Sequence, residues 1–291
     1  MARHIKNTYL SPLPNKKRVE KGAILFLAVG AISILSILTL GATSSVMQEL
    51  RLSKFLTDSN TASFTVHSSI PVIKKLLDTD DTPKAVTIYD LKKKEITLGK
   101  RVIEAEFYDE QARINIDRAS EATVARLPGV GIDDELVKRI TQNNFRIKEE
   151  LLWLEGMTPE SYAGIKEDIT VFGAGSVNVN TASKSILYMA TGDEDLSDKI
   201  VRYRMGNDAE EGTEDDGVFS YTAEIATLLE PYGLSPEQVA LINTLITSNI
   251  LGVTSEYIGC NLKLTQNKKK VRTFNVVLNL TSGKIVSWQE M

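Results

Sequence analysis

"AILFLAVGAISILSILTLGATSSVMQ", residues 23–48, carries no charged side chain, and its first twenty positions are mostly Ala, Ile and Leu. At ~1.5 Å rise per residue, about 20 residues cross a ~30 Å hydrocarbon core. The run is longer than the apolar region of a cleaved secretory signal. It passes without a break into SSVMQELRLSKFLTDSNTASFTVHSSIPVIKKLL, residues 44–77, where Val46, Leu50, Leu52, Phe55 and Leu56 recur at helical spacing. A single retained membrane helix over 23–48, extended as an amphipathic stalk, is the expectation. Residues 1–21 hold six Lys or Arg against Glu20 alone, a net +5. That basic flank places the N-terminus in the cytoplasm and the body across the membrane. With a whole-chain charge of −4, everything downstream carries −9. An acidic body repels phosphate backbones, which disfavours nucleic acid as a partner. The single cysteine, Cys260, cannot form an internal disulfide.

Beyond the stalk, AVTIYDL (85–91) and RVIEAEFYD (101–109) read as strands, with KKKEITLGK (92–100) as the turn between them. Three more short strands follow near the C-terminus: SEYIGCNLKLT (255–265), KVRTFNVVLNL (270–280) and GKIVSWQE (283–290), separated by QNKK and TSG. Between these blocks, residues 113–253 have helical periodicity and little strand signal. The economical arrangement is one sheet packed on the stalk helix, with a helical domain inserted into a sheet connection.

The helical region repeats itself. INIDRASEATVARLPGVGIDDELVKRI (114–140) aligns with VNVNTASKSILYMATGDEDLSDKIVRY (177–203) at an offset of 63, matching Asn115 to Asn178, Ser120 to Ser183 and Gly129 to Gly192. LEGMTPESYAGIKEDITV then resembles EPYGLSPEQVALINTLIT, with Met157, Pro159 and Glu160 falling on Leu234, Pro236 and Glu237 at an offset of 77, so fourteen residues are added inside the second copy, mostly within 206–219. Ser120 and Ser183 suit N-caps, and Thr158-Pro and Ser235-Pro place proline at the first helical position after a capping hydroxyl. Two units of about 113–175 and 176–253 are expected, each of helix-hairpin-helix or SAM-like character. In nucleic-acid-binding hairpins, backbone amides cradle a phosphate that Lys or Arg neutralises. Here the first hairpin, PGVG, is followed by Asp133, Asp134 and Glu135, and Gly192 is followed by Asp193, Glu194 and Asp195. Carboxylates at those places repel phosphate and compete for the same amides. Gly129 and Gly131 therefore read as structural.

GNDAEEGTEDDG (206–217) holds Asp208, Glu210, Glu211, Glu214, Asp215 and Asp216 with no basic residue. Such a loop can supply the six to eight oxygens that calcium takes, or it is a solvated acidic face. Its spacing is not that of an EF-hand. No enzyme signature is present: there is no phosphate loop, zinc spacing or nucleophile motif. His4 lies ahead of the membrane helix, and His67 on the stalk reads as a surface or packing residue. Trp153 and Trp288 read as core aromatics.

The N-terminal KRVEKG/AILFL resembles the class III leader of type IV pilins and pseudopilins. That resemblance implies cleavage between Gly22 and Ala23 by a prepilin peptidase on the cytoplasmic side, which keeps the helix. The family usually carries a glutamate five residues into the mature chain, where this sequence has Leu27. Absence of that carboxylate, together with VNVNTAS (177–183), LEGMTPE (154–160) and YR (203–204) before an acidic stretch, resembles the K-type minor pseudopilin family of the type II secretion system. The resemblance implies an α+β chain with five parts: a leader (1–22), a transmembrane helix (23–48), a stalk and first strands (49–112), an inserted all-α domain (113–253) and closing strands (254–291). It implies anchorage in the inner membrane with a periplasmic head, calcium in the inserted domain, and I- and J-type minor pseudopilins as partners at a pseudopilus tip. Other pseudopilins and inner-membrane lipid are the remaining expected contacts. A subunit without the glutamate need not contact one above it, which suits a tip. The alternatives are a membrane-tethered helix-hairpin-helix DNA-binding protein for DNA uptake and a type IV pilus minor pilin.

Overall fold

The computed structural model describes residues 16–77, 85–266 and 269–291. Most of the leader expectation lies outside the described residues. The chain divides into two units, one ending at Thr61 and the other beginning at Ala62.

In the first unit, helix α1 (Lys16–Leu76) exposes Leu27, Leu40 and the other large apolar residues of its N-terminal half. One apolar stretch within it is long enough to cross a membrane. Three of its polar residues are internally satisfied: Ser33, Ser36 and Thr39 each donate their hydroxyl to the carbonyl four residues earlier. Such back-bonding lets small hydroxyl residues sit in a lipid-facing helix without orphaned polar groups.

In the second unit, the last turns of α1 carry Ala62, Val66, Ile70 and Ile73, a buried stripe at helical spacing. The stripe packs on a sheet. Strands β1 (Lys94–Leu98) and β2 (Arg101–Asp109) form a hairpin closed by Gly99, whose φ of 61° suits the two-residue turn. The expected strand over 85–91 is absent. Asp90 accepts from both the amide and the hydroxyl of Thr87, curling that segment into a turn, and the strand comes instead from KEITL inside the expected turn.

The chain then leaves the sheet. It passes through β3 (Ile114–Asn115), α2 (Glu121–Val124), α3 (Asp134–Gln142), α4 (Pro159–Ile165), β4 (Ile169–Thr170) and β5 (Val177–Asn178). It continues through α5 (Lys184–Thr191), α6 (Glu194–Arg204), α7 (Ile225–Leu229), α8 (Pro236–Thr247) and β6 (Leu251–Gly252). It re-enters as β7 (Tyr257–Gln266), β8 (Lys269–Asn279) and β9 (Lys284–Glu290). The sheet order is β1-β2-β7-β8-β9 and every pairing is antiparallel. Asp109 pairs with Ile258, so the helical segment departs and returns at neighbouring strand ends. The three closing strands stand where the sequence puts them. Two separate apolar clusters result, one of sheet and stalk residues such as Ile103, Leu262 and Phe274, the other within the helical segment.

Each copy of the repeat opens with a two-residue strand that pairs in parallel with the strand closing it, β3 with β4 and β5 with β6. These short pairs escaped the sequence reading because two residues carry no period. Ser120 and Ser183 accept from Thr123 and Ile186 amides as N-caps, and Thr158 and Ser235 cap α4 and α8. Gly129 and Gly192 both take left-handed φ, 73° and 74°. After these glycines the register changes. Asp133 and Asp193 cap α3 and α6, and buried Leu136 and Ile140 answer to Leu196 and Ile200, an offset of 60. The first hairpin is thus three residues longer, and the second copy gains seventeen residues after α6, where the sequence alignment counted fourteen.

Candidate functional site

The end of β2 carries the densest buried polar cluster joining sheet to helical segment. Asp109 and Glu110 are 3% and 4% exposed. Asp109 Oδ2 accepts from Ser255 Oγ and Thr181 Oγ1, both at 2.5 Å, and from Asn178 Nδ2 at 3.0 Å. Its Oδ1 accepts from the Gln111 amide at 2.8 Å. Burial pushes the Asp109 carboxyl above its ordinary range, while Ser255, Thr181, the Gln111 amide and Asn178 pull the other way. Glu110 accepts from Thr170 Oγ1 at 2.5 Å and pairs with Arg113 at 3.3 Å. Two adjacent carboxylates therefore reach one copy each: Asp109 the second, Glu110 the first. Sequence reading missed both, because a strand-end Asp-Glu-Gln looks like any solvated turn.

The hairpin amides are occupied from within. Asp133 Oδ1 accepts from Glu135 and Leu136 amides at 3.0 and 3.2 Å, and Asp193 Oδ1 accepts from Leu196 at 2.9 Å. Gln238 of α8 bridges Asp193 and Asp195, and Lys199, 8% exposed, donates to Asp195 and Gln238. Arg126 of the first copy donates to the Met189 carbonyl at 2.9 Å and lies against Gly192. Met189 is Arg126's counterpart at the offset of 63, so the copies meet at equivalent positions.

Arg204, 2% exposed, stands just before the acidic loop. Its Nη1 donates to the carbonyls of Val179 and Ala182 at 3.0 and 2.6 Å, and its Nη2 pairs with Glu211. Burial draws the guanidinium's pKa down and Glu211 opposes this. Asp215 Oδ2 accepts from the Asn207 and Asp208 amides, and both Asp216 oxygens take amides of Gly212 and Thr213. Glu214 accepts from Tyr89 at 3.1 Å, and Asp208 accepts from the Glu210 amide at 2.9 Å. Five of the six carboxylates thus have partners within the protein, and Asp215 and Asp216 share the Thr213 hydroxyl. Among the described residues no three His, Cys, Asp or Glu side chains form a metal-holding group.

The remaining expected positions are scattered. Gly22 lies within α1 with open space where a Cβ would stand, and Leu27 is 71% exposed. His67 stacks on Trp288 with ring centroids 4.3 Å apart. Trp153 contradicts its reading as a core residue. It ends a 3₁₀ turn in which Leu151 and Leu154 face the core three residues apart, which turns Trp153 outward at 80% exposure. A cavity of about 570 Å³ lies between that turn and the sheet; its lining includes Tyr108, Arg113, Lys148 and Asn275 but neither histidine nor cysteine.

The chain shares its fold with a chain of the GspK–GspI–GspJ complex from the enterotoxigenic Escherichia coli type 2 secretion system. The two superpose with a TM-score of 0.61 at 11% identity, covering 82% of this chain and 99% of the other. At that identity the likeness is one of fold alone. No protein-family model matches the sequence, and no curated protein does.

Proposed function

We propose that this chain is a minor pseudopilin of a type II secretion system, of the K type, working at the tip of a pseudopilus with I- and J-type partners. One observation carries the reading. A chain with an apolar N-terminal helix has the fold of a subunit from the GspK–GspI–GspJ complex across 82% of its length. The large helical segment between paired strands β2 and β7 supports the K type. Leu27 supports the tip position, because a buried carboxylate awaiting the neighbouring subunit's amine is missing.

On this reading, prepilin peptidase cleaves between Gly22 and Ala23, the N-terminus stays cytoplasmic, and residues beyond about 48 stand in the periplasm. The helical segment consists of two helix-hairpin-helix repeats used as scaffold. Internal caps at Asp133 and Asp193 support that use over phosphate binding. Calcium enters through the resemblance and the loop's oxygen donors Asp208, Glu210, Glu211, Glu214, Asp215 and Asp216; to bind it, all of these but Glu210 must turn from internal partners.

Deleting the gene and scoring exoprotein export beside DNA uptake tests the function. Exoproteins should accumulate in the periplasm while transformation is unchanged; lost uptake with intact export sinks the reading. Replacing Gly22 with a bulky residue should retain the leader mass. A chelator should lower the melting temperature of the protein if the loop holds calcium, and an unchanged melt removes the metal from the proposal.

A further inference from the structure

The two copies differ at one place where neither the core nor the sheet demands it. The first hairpin is longer by Val130, Gly131 and Ile132. Val130 is fully buried and anchors the addition, and Gly131 backs onto the Ala125 carbonyl so closely that any side chain would overlap it. The extra residues raise Ile132, which is 92% exposed. In the second copy the chain passes from Gly192 directly to the capping Asp193 and presents nothing. Trp153, at 80% exposure, stands where the second copy has Glu230 under the offset of 77. The segments bearing Ile132 and Trp153 touch. Arg139 donates to the Glu155 carbonyl at 2.7 Å and pairs with its carboxylate at 3.4 Å, and Gly156 lies against Asp133.

Large exposed apolar side chains on adjoining segments are unusual on a soluble surface and mark interaction sites, with tryptophan the commonest energetic anchor. The surroundings narrow the partner. Asp133, Asp134, Glu135 and Glu155 outnumber Lys138 and Arg139 around the pair. A rim of that sign repels an anionic lipid surface and draws a cationic one. We propose that Ile132 and Trp153 form a docking knob of the first repeat for a protein partner that offers an apolar pocket flanked by Lys or Arg.

The test uses the full-length chain in phosphatidylcholine nanodiscs. The probe is a fluorescent synthetic helical peptide with Leu on one face and Lys on its flanks, beside a version carrying Glu for Lys. Saturable binding of the Lys peptide alone is expected, weakened about tenfold or more by I132S combined with W153E. E95Q, which removes an exposed charge from the edge strand β1, should leave that affinity unchanged. Both altered positions are solvent-exposed, so an unchanged melting temperature checks the fold. Equal binding by the double variant, or equal loss with E95Q, means that bulk charge held the peptide, and the knob is wrong. Failure of the Lys peptide to bind, or docking of the chain on phosphatidylglycerol vesicles through Trp153, overturns the proposal as well.

Discussion

The two repeats share a backbone plan and differ in what fastens them. In the second, Asn178 and Asn180 are buried and make a web of bonds: Asn178 to Val86, Asp109 and Ser255, Asn180 to Phe219 and Val253. In the first, Asn115 reaches only the carbonyls of Phe172 and Gly173 along with the Asp117 amide, and Asp117 receives the Phe145 amide. The second copy ends its helix α6 on a buried cation, Arg204, where the first has exposed Asn144. Duplication thus supplied one frame twice. The copy that returns the chain to the sheet acquired buried polar cross-links, while the other kept open surface and gained the Ile132 hairpin.

Arg204 gives the sharpest contrast. Removing it as Arg204→Ala leaves Glu211 without its cation and the Val179 and Ala182 carbonyls without a donor. Glu211 is 34% exposed, so the cost comes mainly from the two buried carbonyls, about 1–3 kcal/mol each in urea unfolding. Asn144→Ala in the first copy should cost next to nothing, as expected for an exposed site. Equal losses from the two variants would erase the asymmetry.

The asparagine positions come next. Asn180→Ala strands the Phe219 amide and the Phe219 and Val253 carbonyls in the interior, a loss of about 2–3 kcal/mol by the cost of unpaired buried groups. Asp117→Ala, its counterpart at the offset of 63, gives up one amide bond at a half-buried site and should cost about 1 kcal/mol. At the caps the copies should agree. Ser120→Ala and Ser183→Ala each remove one capping bond worth about 1 kcal/mol. Calorimetric melts of the two variants should shift alike, and a large disparity would mean that the shorter helix α2 is held by something other than its cap.

Legibility in the sequence followed the same line. Caps, the proline starts, the hairpin glycines and the three closing strands were readable because each depends on a few adjacent residues. The β1 strand was not, since KEITL contains two charges and its identity as a strand depends on pairing with β2. Trp153 was misread as core because tryptophan is apolar and its neighbours are leucines; only the three-residue period of the turn places it outside. The buried hub at Asp109 and Glu110 joins residues up to 146 positions apart, and no local pattern announces it. The acidic loop stood out by composition, whereas nothing in the local pattern marked Arg204, just before it, as the buried partner of Glu211.

Smallest in energy, the pH response of that loop still separates the copies. Thr213's hydroxyl, with the Asn207 and Asp208 amides, holds the Asp215 carboxyl below its ordinary range. A folded pKa below the unfolded value contributes stability that is present above about pH 4 and is lost as pH falls through the folded value. Asp109 has the opposite sign: its raised pKa means that its contribution is complete in acid and fades as pH rises through the folded value. Global stability therefore mixes the two, and the local signal has to be read at the loop. The Asn207 and Asp208 amide resonances should titrate in acid below about pH 4, and Asp215→Asn should abolish that step at these two amides. The Leu127 and Val130 amides at the first hairpin, which meet backbone carbonyls and not carboxylates, should not follow Asp215. If they do, the loop and the first copy are coupled, and the separation between a cross-linked repeat and an open one fails at its most sensitive point.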